Sequence, residues 1–324
     1  MILTDFLPAR PDERWALARQ VGVTHAITKL HPDLTGENGP WDMDVLHAAK
    51  RRFEEAGFTL IGLEGDQIDM SRIKQGLPGF EEDLEQYRHM IRNMGELGIG
   101  LLCYNFMVAI GWFRSQTRVA ERGGAMVTGF DINDLPADPP PGIATISERE
   151  VANNYERFIR AVLPVAEQAQ VRMALHPDDP PVSPIRGIGR IFTSAEGIRS
   201  ALSLAASRWH GVAFCQGTFA TMGEDLPALA GEFAAREKLF FVHFRDVRGN
   251  PDRFVETFHD NGPTNMPAMI RRYADLGFDG PIRVDHVPTM AGEENAEPGY
   301  GARGRLFAVG YLKGILDALN IAHR

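Results

Sequence analysis

The sequence predicts an α/β fold, a closed (β/α)8 TIM barrel, and three observations carry that expectation. Short apolar, β-rich segments alternate with longer amphipathic ones eight times, the pattern of repeated βα units on a parallel sheet. The first strand runs out through Asp5-Phe6-Leu7-Pro8, without the glycine-rich turn that opens a doubly wound nucleotide-binding sheet. The length of 324 residues suits one barrel, so residues 1–324 are expected to form a single domain.

Taken in order, the strands are expected at 2–6, 25–30, 59–64, 101–106, 172–176, 212–215, 240–244 and 282–285. Each is short and rich in branched or aromatic apolar residues. Helices are expected at 12–20, 43–56, 80–97, 147–169, 194–206, 225–236, 266–276 and 303–319. Ser147 with Glu150 has the spacing of a capping box, while Gly57 and Gly277 end helices where a left-handed residue is needed. Two connections, 107–146 and 248–265, exceed ordinary linkers. Both follow strands on the face where barrel enzymes place their chemistry, so they read as long loops over the site.

With 44% apolar and 24% charged residues the composition is that of a globular protein. A net charge of −9 with scattered basic residues argues against a nucleic-acid partner. Residues 1–10 lack a secretory pattern, and no stretch approaches the roughly 20 apolar residues of a membrane span. Only Cys103 and Cys215 are present, both inside apolar strand segments, which argues against a disulfide framework and points to a reducing cytoplasm.

Four strand ends share one grammar, an apolar run that finishes on a metal-capable side chain. They are R-M-A-L-H-P-D-D at 172–179, G-V-A-F-C-Q-G-T at 211–218, L-F-F-V-H-F-R-D at 239–246 and P-I-R-V-D-H-V-P-T-M at 281–290. A lone histidine at a strand end is ordinarily packed or solvated. Strands five to eight of a barrel share one rim, however, so His176, Cys215, His243 and Asp285 are expected to meet around one divalent ion. Two imidazoles, a thiolate and a carboxylate suit Mn²⁺, Fe²⁺, Co²⁺ or Zn²⁺ better than Mg²⁺ or Ca²⁺. Such a set either closes a structural zinc site or leaves positions open for a substrate, and the rim location favours the second.

Beside it, His286 follows Asp285 directly, and Tyr300 sits between two glycines in E-P-G-Y-G-A-R-G-R. These two are the candidate acid and base, with Tyr300 read as base and His286 as acid. Asn105, Arg245, His259 and Arg303 are candidate substrate contacts, with Arg283 a further carboxylate anchor; rim salt bridges are the alternative role for the arginines. Asp178 and Asp179 are placed to orient His176, and Cys103 reads as a core cysteine.

These residues resemble the mannonate dehydratase family. The resemblance rests on I-K-Q-G-L-P-G at 73–79, I-R-N-M-G at 91–95, C-Y-N-F-M at 103–107, A-L-H-P-D-D-P-P at 174–181, F-C-Q-G at 214–217, V-H-F-R-D-V at 242–247, G-F-D-G-P-I-R-V-D-H at 277–286 and P-G-Y-G at 298–301. It implies a barrel that dehydrates D-mannonate to 2-keto-3-deoxy-D-gluconate, with Mn²⁺ or a similar ion on His176, Cys215, His243 and Asp285. His286 and Tyr300 would be its acid–base pair, and a cytoplasmic homodimer its assembly. Val108, Gly111 before Trp112, Gln216-Gly217-Thr218, and Val287-Pro288 depart from the family pattern. They are expected near substrate, where they would change which sugar acid is accepted. The alternatives are a xylose-isomerase-like sugar isomerase or epimerase and a barrel that binds a sugar acid without turning it over.

Overall fold

The computed structural model describes residues 1–324. Twelve strands run in chain order as β1 Ile2–Phe6, β2 His25–Thr28, β3 Thr59–Glu64, β4 Leu101–Tyr104, β5 Gln116–Ala120, β6 Met126–Asp131, β7 Arg172–Leu175, β8 His210–Cys215, β9 Leu239–Phe244, β10 Val247–Asn250, β11 Arg253–Glu256 and β12 Pro281–Val284. Eight of them close into a parallel barrel ordered β1-β12-β9-β8-β7-β4-β3-β2, and these are the eight expected from the sequence. The expected helices also form, as Glu13–Gln20, Met43–Glu55, Phe80–Glu96, Glu148–Ala169, Ala195–Leu204, Leu226–Ala235, Met266–Asp275 and Ala302–Ala318.

Local chemistry explains the helix starts. Asp12, Asp42, Ser194, Asp225 and Asn265 each accept a hydrogen bond from the first turn, and Ser147 forms the reciprocal capping box with Glu150. Those caps fix where each helix packs back onto the barrel. The main core lies between helices and sheet, for example Trp15 stacked on Phe53 at 4.1 Å with Phe58 edge-on. A smaller apolar plug of Ile27, Leu101, Cys103, Ala174, Ala213, Phe240 and Phe241 belongs to the strands themselves.

Register turns this plug into the floor of a site. Cys215 and Arg283 both pair with His243 across neighbouring parallel strands, so the three side chains share the face that Phe241 begins two residues earlier. The barrel is therefore apolar at that level and ionisable at its carboxyl rim.

The long connections hold more order than the sequence suggested. Residues 107–146 and 248–265, read as loops, contain β5, β6, β10 and β11, which form a separate antiparallel sheet ordered β10-β11-β6-β5. Its strands are short and partly exposed, and β6 and β11 are paired across more than a hundred residues, so no local pattern announces them. The consequence is functional: β11 ends on Glu256, and Arg114 stands just ahead of β5. Gly249 in the β10–β11 hairpin has φ +135°, and a Cβ there would collide with the Arg253 carbonyl. Gly249→Ala should therefore cost about 2 kcal/mol in urea unfolding and lower turnover as well, since the hairpin that carries Glu256 must shift.

Candidate active site

At the carboxyl ends of the strands lies a cavity of about 270 Å³ whose wall includes Glu64, Cys103, Asn105, Trp112, His176, Asp179, His243, Arg283, Asp285, His286 and Tyr300. The strand ends deliver the expected donors. Ligand atoms of His176, Cys215 and His243 lie within 4.8 Å of one another. Asp285 Oδ2 is 3.7 Å from His243 Nδ1 and 3.9 Å from Cys215 Sγ. His176 Nδ1 lies 2.6 Å from the Pro177 carbonyl, which fixes that nitrogen as the donor and leaves Nε2 free for the cluster.

Whether these residues suit a metal ion can be judged from their own chemistry. Both ring nitrogens of His243 are buried without a hydrogen-bond partner, an expensive state that a bound cation would relieve. Burial and Arg283 hold that imidazole neutral, the form that ligates. Burial alone would raise the Cys215 thiol, but Arg245 and His176 outweigh it and draw it below its ordinary value. Burial alone would likewise lower His176, yet Cys215 and Asp285 lift it to about 9, a sign that the potential at this spot favours positive charge. The donor set fits a divalent ion.

A second trio, Glu64, Cys103 and His243, also comes within 4.8 Å. It is the weaker candidate, because Glu64 is engaged by Arg283 at 2.5 and 3.1 Å and burial pushes the Cys103 thiol up.

Arg245 ties the donors together from behind. Its guanidinium, 1% exposed, lies 2.6 Å from Asp179 and 3.0 Å from both oxygens of Glu256, and donates to Thr218 Oγ1 at 2.9 Å. Thr218 in turn donates to Cys215 Sγ at 3.1 Å. Arg245 Nε sits 2.8 Å from Asp285 Oδ2 but off the N–H axis, a charge contact with no aligned hydrogen bond. Arg114 grips Asp179 at 2.7 and 2.9 Å and reaches Glu256 Oε1 at 2.5 Å. Glu256 Oε1 is also 3.0 Å from His286 Nδ1. Trp112 lies against His286 at 4.6 Å and edge-on to Tyr300 at 5.9 Å, with the Arg114 guanidinium over its ring at 5.0 Å. Burial would raise the carboxyl of Glu256, but Arg245, Arg114 and His286 bring it down to about 2, and the same two arginines hold Asp179 low. Burial, with Asp285 adding to it, pushes the Tyr300 phenol up.

Among the residues singled out from the sequence, His176, His243, Asp285, His286, Tyr300, Asn105, Arg283 and Asp179 line the cavity, and Cys215 stands behind the wall with its sulfur in the cluster. Asn105 faces Lys74 at 3.0 Å. Three candidate substrate contacts stand elsewhere. Arg245 lies behind the wall with its charge committed to three carboxylates, and His259 is fully buried with Nε2 on the Phe244 carbonyl at 2.8 Å. Arg303 bonds the Ala291 carbonyl on the outer surface. Asp178, expected to orient His176, instead accepts from the Phe192 backbone at 2.8 Å. Glu64, Arg114 and Glu256 were not anticipated. Glu64 ends β3 with the same apolar-then-ionisable grammar and was detectable; the other two depend on the accessory sheet.

An eight-stranded barrel with a histidine, cysteine and aspartate cluster at the carboxyl rim, beside a histidine and a tyrosine in one cavity, is the architecture of a barrel enzyme. The family model of D-mannonate dehydratase (UxuA) matches residues 14–145 and 141–324. The chain belongs to that family and is a hydro-lyase. It is 33% identical over 309 residues to mannonate dehydratase 2 of Halalkalibacterium halodurans, covering 87% of this chain and 89% of that one. Mannonate dehydratase of Streptococcus pneumoniae is 32% identical, with 92% and 87% covered. The crystal structure of mannonate dehydratase from Streptococcus suis superposes with a TM-score of 0.90 at 29% identity, covering 100% of this chain and 97% of that one. A xylose isomerase domain protein from Planctomyces limnophilus shares the fold at a TM-score of 0.65 and 11% identity, with 99% of each chain covered.

The charge cluster makes stability depend on pH with a definite sign. Glu256 falls from an ordinary 4.5 to about 2 in the folded state, so its contribution is complete above about pH 4.5 and is lost as pH falls toward 2. Urea unfolding measured from pH 6 down to pH 2.5 should show a steep loss, of which Glu256 supplies on the order of 3 kcal/mol, and Glu256→Gln should flatten that decline.

Proposed function

We propose that this enzyme removes water from D-mannonate, or from an aldonate of closely similar configuration, giving the 2-keto-3-deoxy acid. The observation that carries the reading is the clustering of His176, Cys215 and His243, with Asp285 against the last two, beside the cavity that His286 and Tyr300 line, in a chain of the mannonate dehydratase family. His176, Cys215, His243 and Asp285 would hold the ion, with Mn²⁺ our assignment for this mixed nitrogen, sulfur and oxygen set. When bound, such an ion would supply Lewis acidity that makes the proton next to the substrate carboxylate easier to remove.

The chain's own residues do the rest. The Glu256 carboxylate accepts from Nδ1 of His286, so Nε2 is the end of the ring left for the substrate, and we assign it to removal of the C2 proton. The electron pair of that C–H bond becomes the C2–C3 double bond. Tyr300, whose phenol keeps its proton, gives it to the C3 hydroxyl, which departs as water. The enol left at C2 then rearranges to the ketone. This order is the reverse of the one expected from the sequence, and the hydrogen bond to Glu256 is the reason. Trp112, tilted against His286 and edge-on to Tyr300, walls the cavity beside both groups. A sugar isomerase shares the fold, but a sulfur donor and the family membership favour elimination. No helix is long and apolar enough to cross a membrane, and a reducing cytoplasm would keep Cys215 a thiol.

Incubating the Mn²⁺-loaded protein with a panel of C5 and C6 sugar acids should release a 2-keto-3-deoxy acid, fastest from D-mannonate; no turnover across the panel would defeat the reading. His286→Gln and Tyr300→Phe should each lower kcat by about 100-fold or more while Mn²⁺ content holds. Cys215→Ser should instead lose Mn²⁺ affinity, seen by metal analysis after dialysis. Chelator treatment should abolish turnover and Mn²⁺ should restore it.

A further inference from the structure

We propose that Glu256 is a positioning residue for the elimination: it holds the Nδ1 proton of His286, points Nε2 into the cavity, and balances the positive charge that the imidazole acquires when it takes the substrate proton. The inference rests on the role given to His286 above and extends it to a residue from a different sheet.

Three independent features support it. The Oε1 to Nδ1 distance is 3.0 Å with both groups buried, so the contact is made away from water and is strong. Arg114 and Arg245 bracket the carboxylate, with Arg245 on both oxygens and Arg114 on Oε1. Held between two guanidiniums, the group acts only as an acceptor, which obliges Nδ1 to be the donor. Finally, the carboxylate arrives at the end of β11, which pairs with β6 in the sheet above the barrel, so its position is set by backbone and not by a free loop. Without the acceptor the ring could exchange tautomers or rotate, and Nε2 would no longer meet the substrate carbon in the reactive state.

Two variants separate this role from mere support of the fold. Glu256→Gln keeps an oxygen acceptor but removes the charge; Glu256→Met removes both at similar length. The expected result is a graded fall in kcat, about 10-fold or more for Gln and about 100-fold or more for Met, with KM for D-mannonate within about threefold and Mn²⁺ content per chain unchanged. Histidine ¹⁵N spectra of the Zn²⁺-loaded enzyme, assigned by the signal that disappears in His286→Gln, should show the Nδ1–H form in the parent and its loss in Glu256→Met. A kcat within threefold of the parent in both variants overturns the proposal, as does a loss that tracks falling Mn²⁺ content or rising KM. If Glu256→Met does not fold, Glu256→Gln and the parent spectrum decide: an Nε2–H tautomer in the parent overturns it. Should His286→Gln itself retain full activity, the reading of His286 fails and the role of Glu256 falls with it. An inactive His286→Gln beside a fully active Glu256→Gln and Glu256→Met refutes Glu256 alone.

Discussion

A guanidinium buried among carboxylates is the constraint on which the rim of this barrel depends. Arg245 contacts Asp179, Glu256 and Asp285 at once, and through Thr218 it reaches the sulfur of Cys215. Three carboxylates gathered this closely above an apolar plug would repel one another and take up protons. Arg245 lets them stay charged. It also fixes the directions in which they point: Asp285 toward the histidines and Glu256 toward His286. Gly217 is part of that arrangement, since a Cβ there would stand 2.6 Å from Arg245 Nη1.

Charge balance around that guanidinium supports a cation at the cluster. Arg114, Arg245 and Arg283 face Glu64, Asp179, Glu256 and Asp285, so the carboxylates outnumber the arginines by one before the Cys215 thiol is counted. Ionising the thiol adds a second negative charge, which the raised His176 meets only in part. Partnerless nitrogens on His243 and the elevated His176 point to the same place. An uncompensated buried anionic cluster is costly, and a divalent ion is the compact remedy.

What was legible in the sequence follows from how local each signal is. A strand that ends in His, Cys or Asp announces itself within eight residues, and barrel geometry then brings consecutive strand ends together, so the donor cluster could be read without coordinates. Glu256 and Arg114 could not be. Their places depend on pairing between β6 and β11, contacts that no periodicity encodes. The arginines show the opposite difficulty. Position at the rim was readable for Arg245, but the guanidinium faces inward to three carboxylates, and only the fold reveals which partners claim a long side chain first. His259 was likewise read as a substrate contact, whereas it is fully buried with its ring on the backbone of β9.

The departures from the family pattern look different once their side chains are located. Gln216 turns away from the cavity, accepting from Tyr273 at 2.9 Å and packing on Met266. Val108 is wholly buried, and Val287 is buried with its backbone bonded to Gly299. None of the three is on the cavity wall. Gly111 and Trp112 are, and Trp112 touches both His286 and Tyr300. Gly111 offers no side chain and no charge to that wall, so Trp112 alone shapes it there. Residues 111–112 are therefore the departures that face the cavity directly, while Thr218 bears on the site only through its bonds to Arg245 and to the Cys215 sulfur.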